Sequence, residues 1–126
     1  MNLMDDMERK LELLLRNPEN AQRFNEVGVI LYRVKDWKNS ALYFQKAYEL
    51  NPTDKDILYN YAFLLAQQSH CRKAVLLYQQ YLELYPEGME VMEKLGDLYY
   101  RLGEYESAEN IYRKLRKLQK GGAMGL

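Results

Sequence analysis

A chain of 126 residues is long enough for one domain or one short repeat array, and for a real hydrophobic core. Its 18 basic and 18 acidic side chains cancel, which removes the simplest electrostatic case for a nucleic-acid partner. One cysteine closes no internal disulfide, and with one histidine it makes no four-ligand zinc site, so neither a stapled secreted domain nor a zinc domain is expected.

The first six residues lack a basic run, and no apolar stretch of signal-peptide length follows them. No segment approaches the ~18 consecutive apolar residues of a membrane span, so the expected address is the cytoplasm, without membrane attachment. Met4, Met7, Leu11, Leu14 and Leu15 recur at helical spacing and predict an amphipathic first helix. Asp5 and Glu8 fit a capping box, with Asp5 as the N-cap. Pro18 then ends this segment, in the context Asn17-Pro18-Glu19-Asn20.

Pro18, Pro52 and Pro86 are all the prolines of the chain and lie 34 residues apart. Cutting after these turns gives three units, 21–54, 55–88 and 89–120, after a leading segment 1–20. Stacked, the units agree where packing demands it. Position 8 is Gly28, Ala62 and Gly96; position 20 is Ser40, Ala74 and Ala108; both are small where two helix backbones approach. Position 24 is aromatic in each unit (Phe44, Tyr78, Tyr112), and position 30 is always leucine (Leu50, Leu84, Leu118). Positions 4, 7, 8 and 11 form one helical stripe, and 20, 24, 27 and 30 another, so each unit reads as two amphipathic helices joined by a short turn. The last helix is expected over about 106–120. Gly121 and Gly122 then predict a helix stop and a disordered tail over 121–126.

This pattern resembles the tetratricopeptide repeat over nearly the whole chain. The resemblance implies an all-α fold, a right-handed solenoid of seven helices in which the leading helix caps three helix-turn-helix units. Three positions depart from the family pattern. Cys71 stands where an aromatic residue is usual, Tyr81 stands where alanine is usual and is expected to tilt neighbouring units, and Lys120 replaces the final proline.

The chemistry of an active site is missing from the sequence. His70 and Cys71 are adjacent and so point apart, and no phosphate-cradling glycine loop is present. No catalytic residue, metal, cofactor or small-molecule substrate is expected. The resemblance implies instead a concave surface lined by the first helix of each unit, which binds a protein or peptide. It places Asn25, Val29, Tyr32 and Arg33 of the first unit there, with Tyr59, Asn60 and Phe63 of the second. From the third it adds Glu93, Lys94, Asp97, Tyr100 and Arg101. The expected ligand is an extended or helical peptide, apolar in the middle and basic toward the third unit. The carboxylate clamp that such domains use for chaperone C-termini is not matched. Its places hold Asn25, Val29, Asn60, Glu90 and Lys94, of which Asn60 alone agrees outright.

Two alternatives stay open beside an adaptor module. One is a small chaperone or assembly factor for a secretion or complex-assembly client. The other starts from the Ile111, Leu115 and Leu118 stripe of the last helix, which no further helix follows. Its uncovered apolar area suits either a homodimer through the third unit or excision from a longer chain. Of the 12 tyrosines, six (Tyr61, Tyr78, Tyr81, Tyr99, Tyr105, Tyr112) fall at core positions of the repeat, and Tyr32, Tyr59 and Tyr100 fall in the groove.

Overall fold

In a computed structural model that describes residues 2–124, the chain is all α-helical, with seven helices and no strand among those residues. They are α1 (Leu3–Arg16), α2 (Ala21–Arg33), α3 (Trp37–Leu50), α4 (Lys55–Gln67), α5 (Cys71–Leu84), α6 (Met89–Arg101) and α7 (Tyr105–Met124). Contacts divide the chain into two units, Met1–Leu64 and Leu65–Leu126, with the division falling inside α4. None of these helices is long and apolar enough to cross a membrane.

In the first unit, every helix start carries a side-chain cap. Asn2, Asn20 and Asp36 accept from the backbone N–H three residues on, at Asp5, Arg23 and Asn39. Asp54 Oδ1 takes two such donors, from Asp56 at 2.9 Å and Ile57 at 3.0 Å. Each cap satisfies N–H groups that a helix cannot pair internally. Asn2 corrects the sequence expectation, since Asp5 lies inside α1 rather than at its cap. Asn2 is as good a cap as Asp5, and starting one turn earlier adds a turn of backbone hydrogen bonds.

The core of this unit begins where α1 lays Leu14 against Val27 and Leu31 of α2, with Met7, Leu11, Phe24 and Tyr43 packed around them. Full burial of each such side chain is worth roughly 1.5–3 kcal/mol. Between α2 and α3 the helices meet at Gly28. A Cβ there would lie 2.6 Å from the ring of Phe44, so only glycine lets this buried ring reach the α2 backbone. Ser40, also fully buried, donates its hydroxyl to the Gly28 carbonyl at 2.7 Å.

The second unit repeats the plan with other residues. Val91, Met92, Leu95 and Leu98 of α6 are buried, with Val75 and Tyr78 of α5 and Ala108 and Leu115 of α7. Gly96 meets the Tyr112 ring as Gly28 meets Phe44, at 2.5 Å from a built Cβ. Helix starts differ, because His70 and Gly88 cap α5 and α6 without any side-chain hydrogen bond. At Gly88 a Cβ would lie 2.8 Å from the Tyr81 ring, so the bulky residue at the usual alanine position is accommodated there.

All three turns between paired helices end on a left-handed residue, Lys35, Ser69 and Gly103, with φ of 65°, 64° and 78°. After each, the next N–H reaches back to the helix it leaves, from Asp36 to Leu31, His70 to Leu65 and Glu104 to Tyr99. Such closures satisfy end carbonyls and turn the chain sharply.

At the end, the expected stop at Gly121 is not observed, because α7 continues through Gly121 and Gly122 to Met124. Glycine weakens a helix by about 1 kcal/mol per residue but keeps its N–H, and no proline follows to remove one. Gly125 and Leu126, the rest of the expected tail, lie outside the described residues.

Candidate functional site

Val29, Tyr32 and Arg33 stand at i, i+3 and i+4 on α2, and so share one face. On α4, Phe63 follows Tyr59 by four residues and Asn60 by three, so it shares a face with each. In the first unit these six surround a pocket of about 270 Å³ with Phe44 among its lining. Tyr59 and Phe63 stack at 6.0 Å with rings 14° apart. Phe63 meets Tyr32 edge-on at 6.1 Å, and Tyr32 meets Trp37 at 5.3 Å. Four aromatic rings thus form one continuous wall. Trp37 at the end of this wall and Phe44 in the pocket lining are residues that the sequence reading did not place in the groove.

Asn25 belongs to the expected groove but is not on its surface. It is 5% exposed, and its Oδ1 accepts the Asn60 Nδ2 at 3.1 Å. A buried amide needs a partner, and Asn60 of α4 supplies it. The pair therefore fixes the register of α4 on α2 rather than offering a ligand contact. Arg33 is exposed at the pocket rim and forms no ion pair among the described residues, which leaves its forked donors to solvent. The volume is below the roughly 300–1,000 Å³ of small-molecule sites and suits one bulky apolar side chain.

The third-unit residues of the expected groove sit on α6, within the second compact unit. Glu93, Asp97 and Arg101 are exposed, Lys94 is half-buried, and Tyr100 is 62% exposed. Tyr100 meets Tyr105 edge-on at 5.1 Å. Tyr105 is itself 61% exposed, against its expected place in the core. The ring packs on another exposed ring and keeps most of its surface in solvent. Tyr112 donates its hydroxyl to Asp97 Oδ1. Burial first, then this hydrogen bond and the Asp97 charge, push its pKa up to about 12, because phenolate would lose solvation beside a carboxylate.

The Ile111, Leu115 and Leu118 stripe is covered only in part. Leu115 is buried, and the other two are half-buried. Ile111 lines an open groove of about 730 Å³ with Leu82, Met92 and Leu95, and Leu118 lines a smaller hollow beside Met89. The stripe faces α6, because positions 23, 27 and 30 point inward in this repeat. The outward side of α7 is polar, with Arg116 Nη2 2.8 Å from Glu109 Oε1.

Residues 62–123 match a family model described as a tetratricopeptide repeat, and residues 43–75 match a second of the same description. The chain is 26% identical over 115 residues to the Protein CTR9 homolog of Arabidopsis thaliana, an alignment covering 88% of this chain. It spans about a tenth (10%) of that curated relative's length. Among solved structures, MamA superposes with a TM-score of 0.89 at 16% identity, over 97% of this chain and 71% of that one. A tetratricopeptide repeat protein from Parabacteroides merdae gives 0.88 at 24% identity, over 94% of this chain and 47% of that one. At these identities the likeness to solved structures is one of fold.

Proposed function

The chain belongs to the tetratricopeptide-repeat family, whose fold serves protein–protein interaction, and we propose that it is a non-catalytic scaffold module binding a partner peptide or helix. The observation that carries this reading is the pocket walled by Tyr32, Tyr59 and Phe63. Half-buried rings around a concavity offer a large apolar area at little cost in side-chain entropy, which is the usual make-up of an interaction hot spot. One bulky apolar side chain of the partner fills the pocket. Arg33 at its rim holds a carboxylate or backbone carbonyl next to that residue.

Affinity capture compares the wild type with Tyr59→Ala and, because Tyr59 also packs on Phe63, with the rim variant Arg33→Glu. Each substitution is expected to weaken the captured partner by more than ~1 kcal/mol. A partner retained equally by all three proteins overturns the groove reading.

A further inference from the structure

The helix triplets α1–α2–α3 and α5–α6–α7 follow one plan, each within its own unit. In the first, Phe24 of α2 and Tyr43 of α3 meet at 5.8 Å and pack against Leu14 of α1 with Val27 and Leu31 of α2. Two repeats later the same positions hold Met92 of α6 and Ile111 of α7, beside Leu82 of α5. No ring stands at either place, and an open groove of about 730 Å³ runs between α5 and α7. Met92 and Leu95 are buried at its floor, and Leu82 and Ile111 are half-buried on its two walls.

The groove faces the helices that precede α7, as Tyr43 of α3 faces Leu14 of α1. The helix that follows α3 meets a different side, where Phe44 lines the space beside Tyr59 and Phe63. A helix placed in that way after α7 leaves the groove open. Its rim is polar, with Glu83 on α5 and with Ser107, Asn110 and Lys114 on α7. In the first triplet the places of Glu83 and Asn110 hold Leu15 and Leu42, both exposed. An apolar floor inside a polar rim is the make-up of a non-obligate interface. Glu83 and Lys114 form no ion pair among the described residues, so one charge of each sign faces solvent beside the apolar floor.

We infer that this groove binds an extended segment of another protein in which one aromatic residue stands between a basic and an acidic one. The aromatic side chain takes the place that Phe24 and Tyr43 fill in the first triplet, against Leu82, Leu95 and Ile111. The acidic residue pairs with Lys114 and the basic one with Glu83. Ser107 and Asn110, three residues apart on one wall, offer a hydroxyl and an amide to the backbone groups that an extended chain leaves unpaired. Each wall runs two helical turns, about 10 Å, which is the length of roughly three extended residues. So short a trough falls well below the ~800 Å² per partner of a stable dimer, which favours a short segment over a second folded copy. None of these residues belongs to the α2/α4 pocket, and the inference stands without it.

The test uses three labelled heptapeptides, each with two glycines at either end. Their centres are Lys-Phe-Asp, Asp-Phe-Lys and Lys-Ala-Asp, and binding to the 126-residue protein is followed by fluorescence anisotropy. The better phenylalanine peptide is expected to bind at least ~10-fold tighter than the alanine one. The preference between the two charge orders is expected to shrink as salt rises. Ile111→Tyr, which returns a ring to the groove at the position of Tyr43, is expected to weaken binding ~10-fold or more with an unchanged helical spectrum. The exposed pair Glu83→Lys/Lys114→Glu leaves the core untouched and is expected to reverse the preferred charge order. Arg33→Glu in the other pocket is expected to change nothing. Equal binding of the phenylalanine and alanine peptides, or full binding by Ile111→Tyr, overturns the assignment. So does a charge order that the Glu83/Lys114 swap leaves in place. Loss of binding in Arg33→Glu overturns it by moving the peptide to the first pocket. A concentration-dependent doubling of mass that Ile111→Tyr abolishes does so by making a second copy the occupant.

Discussion

Phe44 and Tyr112 occupy the same position of the repeat, and each ring lies on a glycine of the preceding helix, within 2.6 Å and 2.5 Å of where a Cβ would sit. Around them the two units diverge. Phe44 is 2% exposed, beside Val29 and the rings of α4. Tyr112 instead turns a hydroxyl to Asp97, next to exposed Tyr100 and Tyr105. Backbone packing is thus set by the small residue and the ring, which both units share. The character of the surface is set by a single hydroxyl and by valine or aspartate at position 9. Helix starts differ in the same direction, with side-chain caps at four helices of the first unit and none at His70 or Gly88.

The largest effect is expected at the glycine contact. Gly28→Ala drives a methyl group into a buried ring, and is expected to cost about 2 kcal/mol net of alanine's better helix propensity. Gly96→Ala meets a ring that can swing toward solvent at the loss of its Asp97 bond, and is expected to cost less than about 1 kcal/mol. Urea unfolding of both variants measures the difference; equal costs break the comparison.

Next comes the buried hydroxyl. Ser40→Ala removes the bond to the Gly28 carbonyl and is expected to cost about 1 kcal/mol. The equivalent residue of the second unit is already alanine, Ala108, so Ala108→Ser is expected to be near neutral, its hydroxyl finding the Gly96 carbonyl. A cost above ~1 kcal/mol for the serine variant shows that the two interfaces are not interchangeable.

At the helix starts, His70→Asp supplies the missing cap of α5 and is expected to stabilise the protein by about 0.5–1 kcal/mol in thermal or urea unfolding. No gain indicates that water already satisfies those N–H groups.

The smallest effect is the pH dependence of Tyr112. Its pKa in the folded protein, about 12, lies above the ordinary value of 10.0, so the folded state keeps its proton where the unfolded chain has begun to lose it. The associated stability is fully present below pH 10 and is lost as pH rises from about 10 to 12. Unfolding midpoints across that range, compared between wild type and Tyr112→Phe, are expected to fall more steeply for the wild type. Parallel profiles assign the alkaline loss to other groups.

Much of the fold is legible because it rests on periodic signals. Prolines at intervals of 34 mark where helices cannot continue, and Gly28 and Gly96 mark where backbones touch. Less legible are features that depend on competition between neighbouring choices. Asp5 matches a cap, but Asn2 caps a longer helix. Gly121 and Gly122 look like a stop, but α7 runs on through both. In the candidate groove, Tyr32, Tyr59 and Phe63 come together as expected from their helical faces. Asn25 does not join them at the surface, because its amide is spent on Asn60.

By itself, then, the chain of 126 residues and zero net charge determined the helix pairs and their family, since sterics and hydrophobic periodicity act within a few turns of each residue. Tertiary structure decided which tyrosines are walls and which are exposed, and that of Ile111, Leu115 and Leu118 only Leu115 is buried. Those outcomes depend on what packs against a side chain from another helix, a quantity that spacing along one helix does not contain.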